Sequence, residues 1–183
     1  SFPTPAHVKQ AAVDALAADF TRYTPNAGIA DLREALVDKL ARINGITATA
    51  DDIIITNGAV AAIFSTLASL VNPGDEVLIS DPSWPNYLQM TILLGAVPVY
   101  FPLRIEHDLV PTIDDIASRI TPRTKVLLLN SPGNPSGAII PEQRLREILE
   151  LAAAHDLWVI SDEVYDEIYF DKPPVSLMPL DTE

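Results

Sequence analysis

Five short apolar runs punctuate this chain, separated by segments of helix length, and that alternation restricts the fold more than any other feature. They are DIIIT (52–56), EVLIS (76–80), AVPVYF (96–101), KVLLL (125–129) and LWVIS (157–161). Each reads as a strand covered on both faces, because the apolar residues run on without strict polar alternation. The stretches between them predict helices over 59–71, over 84–94, from Thr112 and from Pro141. Thr112 stands three residues before Asp115, which resembles a capping box. After Pro141, a residue suited to a first helical turn, Leu145, Ile148, Leu149 and Ala152 share one face. Strands alternating with helices predict an α/β fold: a mostly parallel central sheet in a three-layer α/β/α sandwich.

The N-terminal part has a different rhythm. Residues 6–19 and 29–43 both read as helices, the second with a stripe of Leu32, Leu36, Leu40 and Ile43. The chain opens SFPTPAHV and closes LMPLDTE, so both ends are expected to lie inside a longer protein. With 12 basic and 25 acidic side chains the net charge is −13, which repels nucleic acid and anionic membranes. The absence of cysteine excludes a disulfide framework and a thiolate metal site, and suits the cytoplasm. His7, His107 and His155 match no metal-ligand spacing.

In open α/β sheets, ligands collect beyond the carboxyl ends of the strands. After DIIIT comes NGAV, where a glycine and the first N–H groups of a helix suit an anion, or form an ordinary turn. After EVLIS comes DPSWPNY, whose Trp84 and Tyr87 offer a ring for stacking, or fill the core. NSPGNPSG (130–137) follows KVLLL and holds two asparagines, two prolines and two glycines in eight residues. Such density exceeds what a plain turn needs, and suits an irregular backbone that presents amide donors. After LWVIS comes DEVY, with Asp162 placed to pair with a ring cation at the end of a central strand. Tyr165, one turn on, is placed to donate to a ring oxygen. Reading Asp162 and Glu163 as a Mg²⁺ site of a nucleotide hydrolase requires G-x-x-x-x-G-K-[ST], and a dinucleotide site requires G-x-G; neither is present. No serine lies in G-x-S-x-G.

Taken in order, these segments resemble the large domain of fold-type I pyridoxal-phosphate enzymes, specifically the class I/II aminotransferases. YTPNAGIADLR is similar to the family's Y-x-x-x-x-G-x-x-x-L-R, NSPGNPSG to N-x-P-x-N-P-[TS]-G, and SDEVY to S-D-E-x-Y. The resemblance implies pyridoxal 5′-phosphate as cofactor and a role for each post-strand residue. Asn134 would hydrogen-bond the cofactor's 3′-oxygen and Tyr165 would donate to the same atom. Asp162 would pair with the pyridine nitrogen, Trp84 would stack on the ring, and the backbone of Gly58, Ala59 and Val60 would take the phosphate. Tyr23 would reach the phosphate in the neighbouring subunit, which implies a homodimer with shared sites. The implied substrates are an amino acid and a 2-oxo acid.

One departure is plain. The family's Schiff-base lysine lies well beyond S-D-E-x-Y, and the lysines here, Lys9, Lys39, Lys125 and Lys172, do not sit in its context. The expected organisation is an N-terminal helical segment over 1–22, part of a small domain or arm. A cofactor-binding large domain then runs over 23–183 and stops before the lysine. Such a chain would cradle the cofactor without turning over. Two rivals stay open at this point: a C–S lyase or decarboxylase on the same scaffold, and a non-catalytic module that binds cofactor or partner.

Overall fold

Four of the five apolar runs become strands in the computed structural model, which describes residues 2–181. They are β1 (Glu76–Asp81), β2 (Val97–Pro102), β3 (Thr124–Asn130) and β4 (Trp158–Asp162), ordered β2-β1-β3-β4 and parallel throughout. The period-two geometry of a strand divides each run between two faces. Val77, Ile79, Val126 and Leu128 point to one side, where they pack against Ile63 and Leu67 of α3 (Ala59–Leu70) and Tyr87 and Met90 of α4 (Pro85–Leu93). Leu78, Leu127 and Leu129 point to the other, against Ile116 of α5 (Ile113–Ala117) and Leu145 and Ile148 of α6 (Glu142–Ala154). Two apolar cores on one sheet make the expected three layers, and each fully buried Leu or Ile contributes about 1.5–3 kcal/mol.

Local signals set the element ends. The Thr112 hydroxyl accepts from the Asp115 N–H at 3.1 Å and donates to the Asp115 carboxylate at 2.8 Å, so α5 starts where the sequence places it. Pro141 precedes the first residue of α6 instead of occupying its first turn. In the N-terminal part, α1 (Ala6–Ala17) buries none of its residues. The second helix, α2 (Ala30–Lys39), continues as a π-helical turn over Leu40–Asn44 that ends at left-handed Gly45.

Two expectations fail. Residues 52–56 are not a strand: Ala50–Asp52 forms a 3-10 turn closed by a Thr49–Asp52 capping box, and Ile53 is extended with its N–H donating to the Ala50 carbonyl at 3.2 Å. Ile54 is 70% exposed, and no strand among the described residues pairs with this run, although its side chains are strand-like. Nor is β4 central among the described residues, where it forms one edge of the sheet, beside β3, with Trp158 largely exposed.

Candidate functional site

The parallel register brings the carboxyl ends of β1, β3 and β4 to one rim, and the three segments that follow these strands leave from it. Helix α3 descends from that rim, since it runs back to the amino end of β1 through a short turn. Its first residues therefore lie on the same side as Asp81, Asn130 and Asp162. Gly58 caps it with φ +79, a left-handed value that glycine tolerates, and a Cβ there would meet nothing within 4 Å. The N–H groups of Ala59 and Val60, in the first turn, have no partner within the helix.

Asp162 ends β4 and is 6% exposed. Its main chain is anchored twice: the carbonyl accepts from the Asn130 amide at 3.0 Å and from the Ser131 N–H at 3.2 Å. The carboxylate is anchored twice as well. Oδ2 accepts from the Tyr87 hydroxyl at 2.6 Å, and Oδ1 accepts from the Val164 N–H at 3.1 Å. None of these partners is a cation. Tyr87 is buried, and burial together with the adjacent Asp162 charge pushes its phenol well above the ordinary value near 10.

Asn134 is held by its neighbour in the loop, its N–H donating to the Asn130 side-chain oxygen at 2.7 Å. Its own amide points to Tyr165, donating to the phenol oxygen at 3.4 Å. Trp84, half-buried just before α4, meets Tyr87 edge-to-face with ring centroids 5.5 Å apart. Asn130 and Tyr87 thus tie Asp162, Asn134, Tyr165 and Trp84 into one cluster, with the Gly58–Val60 turn on the same rim. Tyr23 stands apart, fully exposed between α1 and α2.

From the sequence, Asp162, Tyr165, Asn134, Trp84 and the 58–60 turn are expected at the site, Asn130 is expected only as one of two amide donors in its loop, and Tyr87 stays between stacking and core. Tyr87 carries a readable signal, three residues after Trp84 in the first turn of a helix that packs on the sheet. Its partner is 75 residues away, and only the fold supplies it. Glu163, next to Asp162, faces away from this cluster. Its carboxylate accepts from Ser161, Ser176 and the Leu177 N–H, fastening the segment after β4 back onto the strand. Asp166 is bridged to Lys39 and accepts from the Asn44 amide at 2.9 Å, linking this turn to the π-helical turn after α2. Among the described residues no group of three His, Cys, Asp or Glu side chains is placed to hold a metal ion. No helix among them is long and apolar enough to cross a membrane.

Comparison with known proteins converges on one family. Residues 1–182 match the family described as aminotransferase class I and II. The aspartate/prephenate aminotransferase of Thermus thermophilus is 42% identical over 170 residues, covering 93% of this chain and 44% of the relative. The arginine–pyruvate transaminase of Pseudomonas aeruginosa is 40% identical over 175 residues, covering 96% of this chain and 44% of its own length. Among solved structures, the alanine aminotransferase of Pyrococcus furiosus superposes with a TM-score of 0.96 at 35% identity, over 100% of this chain and 47% of that one. The chain therefore spans less than half the length of the curated relatives it matches.

Proposed function

The chain belongs to the class I and II aminotransferases, whose cofactor is pyridoxal 5′-phosphate, and from that membership we propose that the protein as a whole moves an amino group between an amino acid and a 2-oxo acid. The residues described here would supply its cofactor cradle. The observation that carries this reading is the buried Asp162 carboxylate, whose partners in the structure are all uncharged. A buried charge is costly unless it meets an opposite one, and the ring nitrogen of pyridoxal phosphate, when protonated, is a cation of suitable size.

The rest of the rim fits the same molecule. Ala59 and Val60 offer first-turn N–H groups to its phosphate, and the φ of Gly58 keeps that approach free of a side chain. The Asn134 amide and Tyr165 hydroxyl, already in mutual contact, converge on a position for a ring oxygen. Trp84, half-buried just before α4, would supply the ring that stacks on the cofactor. When bound, the cofactor supplies an electron sink for negative charge developing at the α-carbon of the amino acid. Asp162 keeps the ring nitrogen protonated, which is what gives the sink its capacity. Asn134 and Tyr165 hold the ring against rotation, and the α3 N-terminus fixes the phosphate.

The same reading makes the enzyme a homodimer. In support, α1 buries nothing while Val8, Val13, Leu16 and Phe20 are exposed, and Tyr23 projects free of its own chain. A second copy would cover these residues and receive Tyr23 at its phosphate. We place the protein in the cytoplasm, since a cysteine-free chain needs no oxidising compartment.

The test is made on the full-length protein. After pyridoxal phosphate is added and borohydride applied, the denatured mass should rise by one stoichiometric pyridoxyl group, and amino transfer should require both an amino acid and a 2-oxo acid. Release of pyruvate and ammonia without an acceptor would point to a lyase instead. No saturable adduct and no transfer would overturn the assignment.

A further inference from the structure

Tyr87 is 1% exposed, and a buried tyrosine hydroxyl must find a partner; here the partner is a carboxylate, not a backbone carbonyl. At 2.6 Å the bond has the length of a charge-assisted O–H···O⁻ contact, roughly twice as strong as a neutral one. The donor is immobile. Its ring is packed in the apolar core between α3 and the sheet, and its edge-to-face contact with Trp84 fixes it from the rim side. The Val164 N–H holds the other carboxylate oxygen, so the Asp162 side chain cannot rotate about its last bond without breaking a contact.

Resting on the functional reading above, we propose that Tyr87 is a positioning residue for Asp162. Its hydroxyl holds the carboxylate in a fixed plane and shares its negative charge, so that a protonated ring nitrogen meets an acceptor that keeps its proton close without taking it. The logic is one of competition. A carboxylate with two donors attracts a third proton less than one with a single donor. Without the Tyr87 hydroxyl, Asp162 would draw the ring proton toward itself, and the ring would lose part of the positive charge that makes it an electron sink. The residue would act through Asp162 while touching neither cofactor nor substrate.

The experiment uses full-length holoenzyme loaded with pyridoxal phosphate labelled with ¹⁵N at the ring. In Tyr87→Phe the ring resonance should move toward the unprotonated value, and kcat should fall about tenfold, as for one charged hydrogen bond, with KM for the amino acid unchanged. Replacing Tyr87 by 3-fluorotyrosine, a more acidic phenol and stronger donor of nearly the same shape, should move the resonance the opposite way. Opposite movements would not arise from a packing role. A resonance unmoved in both proteins, or moved in the same direction by both, would overturn the proposal. If Tyr87→Phe fails to fold, the fluorinated protein decides alone: movement toward the protonated value supports the proposal, and any other result overturns it. A cofactor-free arm separates this idea from the functional reading. There the ¹⁹F signal of the fluorotyrosine should shift when Asp162→Asn is added, and an unchanged signal would show that Tyr87 does not hold Asp162. A wild-type protein that takes up no pyridoxal phosphate would instead remove the functional reading and this role with it, whatever the ¹⁹F signal shows.

Discussion

Asn130 and Asp162 are register partners in the last pair of the β3–β4 ladder, and the Asn130 amide donates to the Asp162 carbonyl at 3.0 Å. The same side chain accepts the Asn134 N–H at 2.7 Å. One amide thus fixes the spacing between the carboxylate assigned to the ring nitrogen and the amide assigned to the ring oxygen. The density of asparagine, proline and glycine in NSPGNPSG follows from this. The first asparagine builds the loop, and the second is the group the loop presents.

Asn130→Ala should therefore damage the site more than its loss of stability suggests. The Asp162 carbonyl keeps the Ser131 N–H, so unfolding should become easier by only about 1–2 kcal/mol, the worth of one or two partly buried hydrogen bonds. Pyridoxal phosphate affinity should fall about tenfold, because Asn134 would no longer be held. Cofactor titration beside urea denaturation separates the two effects, and unchanged affinity would show that Asn134 is positioned by something else.

Asp162→Ala in the full-length protein should nearly abolish amino transfer while weakening cofactor retention only modestly. The phosphate, Asn134 and Tyr165 contacts would survive, so the ring would stay bound but lose its counter-charge. Single-turnover kinetics on variant saturated with cofactor measures the chemical step directly. A normal rate would remove the ring-nitrogen assignment.

The parts of this architecture that were readable from sequence are those encoded locally. The runs ending at Ser80, Phe101, Leu129 and Ser161 carry enough continuous apolar surface to demand burial on both faces, and they became β1, β2, β3 and β4. The run DIIIT carries the same local code and did not become a strand, because strand formation needs a partner backbone and the code for a partner is not local. For the same reason the sequence could not say that β4 lies at an edge of this sheet. The site divides in the same way. Asp162, Asn134 and Tyr165 sit in dense motifs, whereas the Tyr87 hydroxyl reaches Asp162 only because α4 packs on the sheet beside β1 and β2.

Gly28 offers a test of how the N-terminal segment is attached. Its φ is +100, and an added Cβ would lie 2.6 Å from the Cβ of Ile55 and closer still to Cγ1. Beside it, the Ile55 N–H donates to the Ala27 carbonyl at 2.9 Å, joining this loop to the chain that leads into the Gly58 turn. Gly28→Ala should cost about 2 kcal/mol through backbone strain and overlap together. Hydrogen exchange at Ile55 should quicken in step. Protection equal to wild type would mean that the two segments are held together elsewhere.

Alkaline stability should report the Tyr87–Asp162 bond without any cofactor. Burial and the adjacent carboxylate raise the Tyr87 phenol above its ordinary value near 10, so the folded protein keeps a proton that the unfolded chain releases. The sign follows from counting protons. Below about pH 10 both states are protonated at this residue and its contribution is fully present. Above it the unfolded state binds fewer protons, and stability falls until the folded phenol itself ionises. One such group gives a slope of about 1.4 kcal/mol per pH unit. Tyr87→Phe removes the proton, so the decline between pH 10 and 12 should become shallower by that amount, even though the variant starts less stable at neutral pH. Asp162→Asn should weaken the dependence only in part, because the carboxylate is one cause of the raised value and burial, the larger cause, remains. Urea denaturation at half-unit steps of pH for the three proteins measures all of this. Parallel curves for wild type and Tyr87→Phe would mean that Tyr87 ionises as freely in the folded protein as in the unfolded chain, and that the buried hydroxyl–carboxylate bond does not hold its proton in solution.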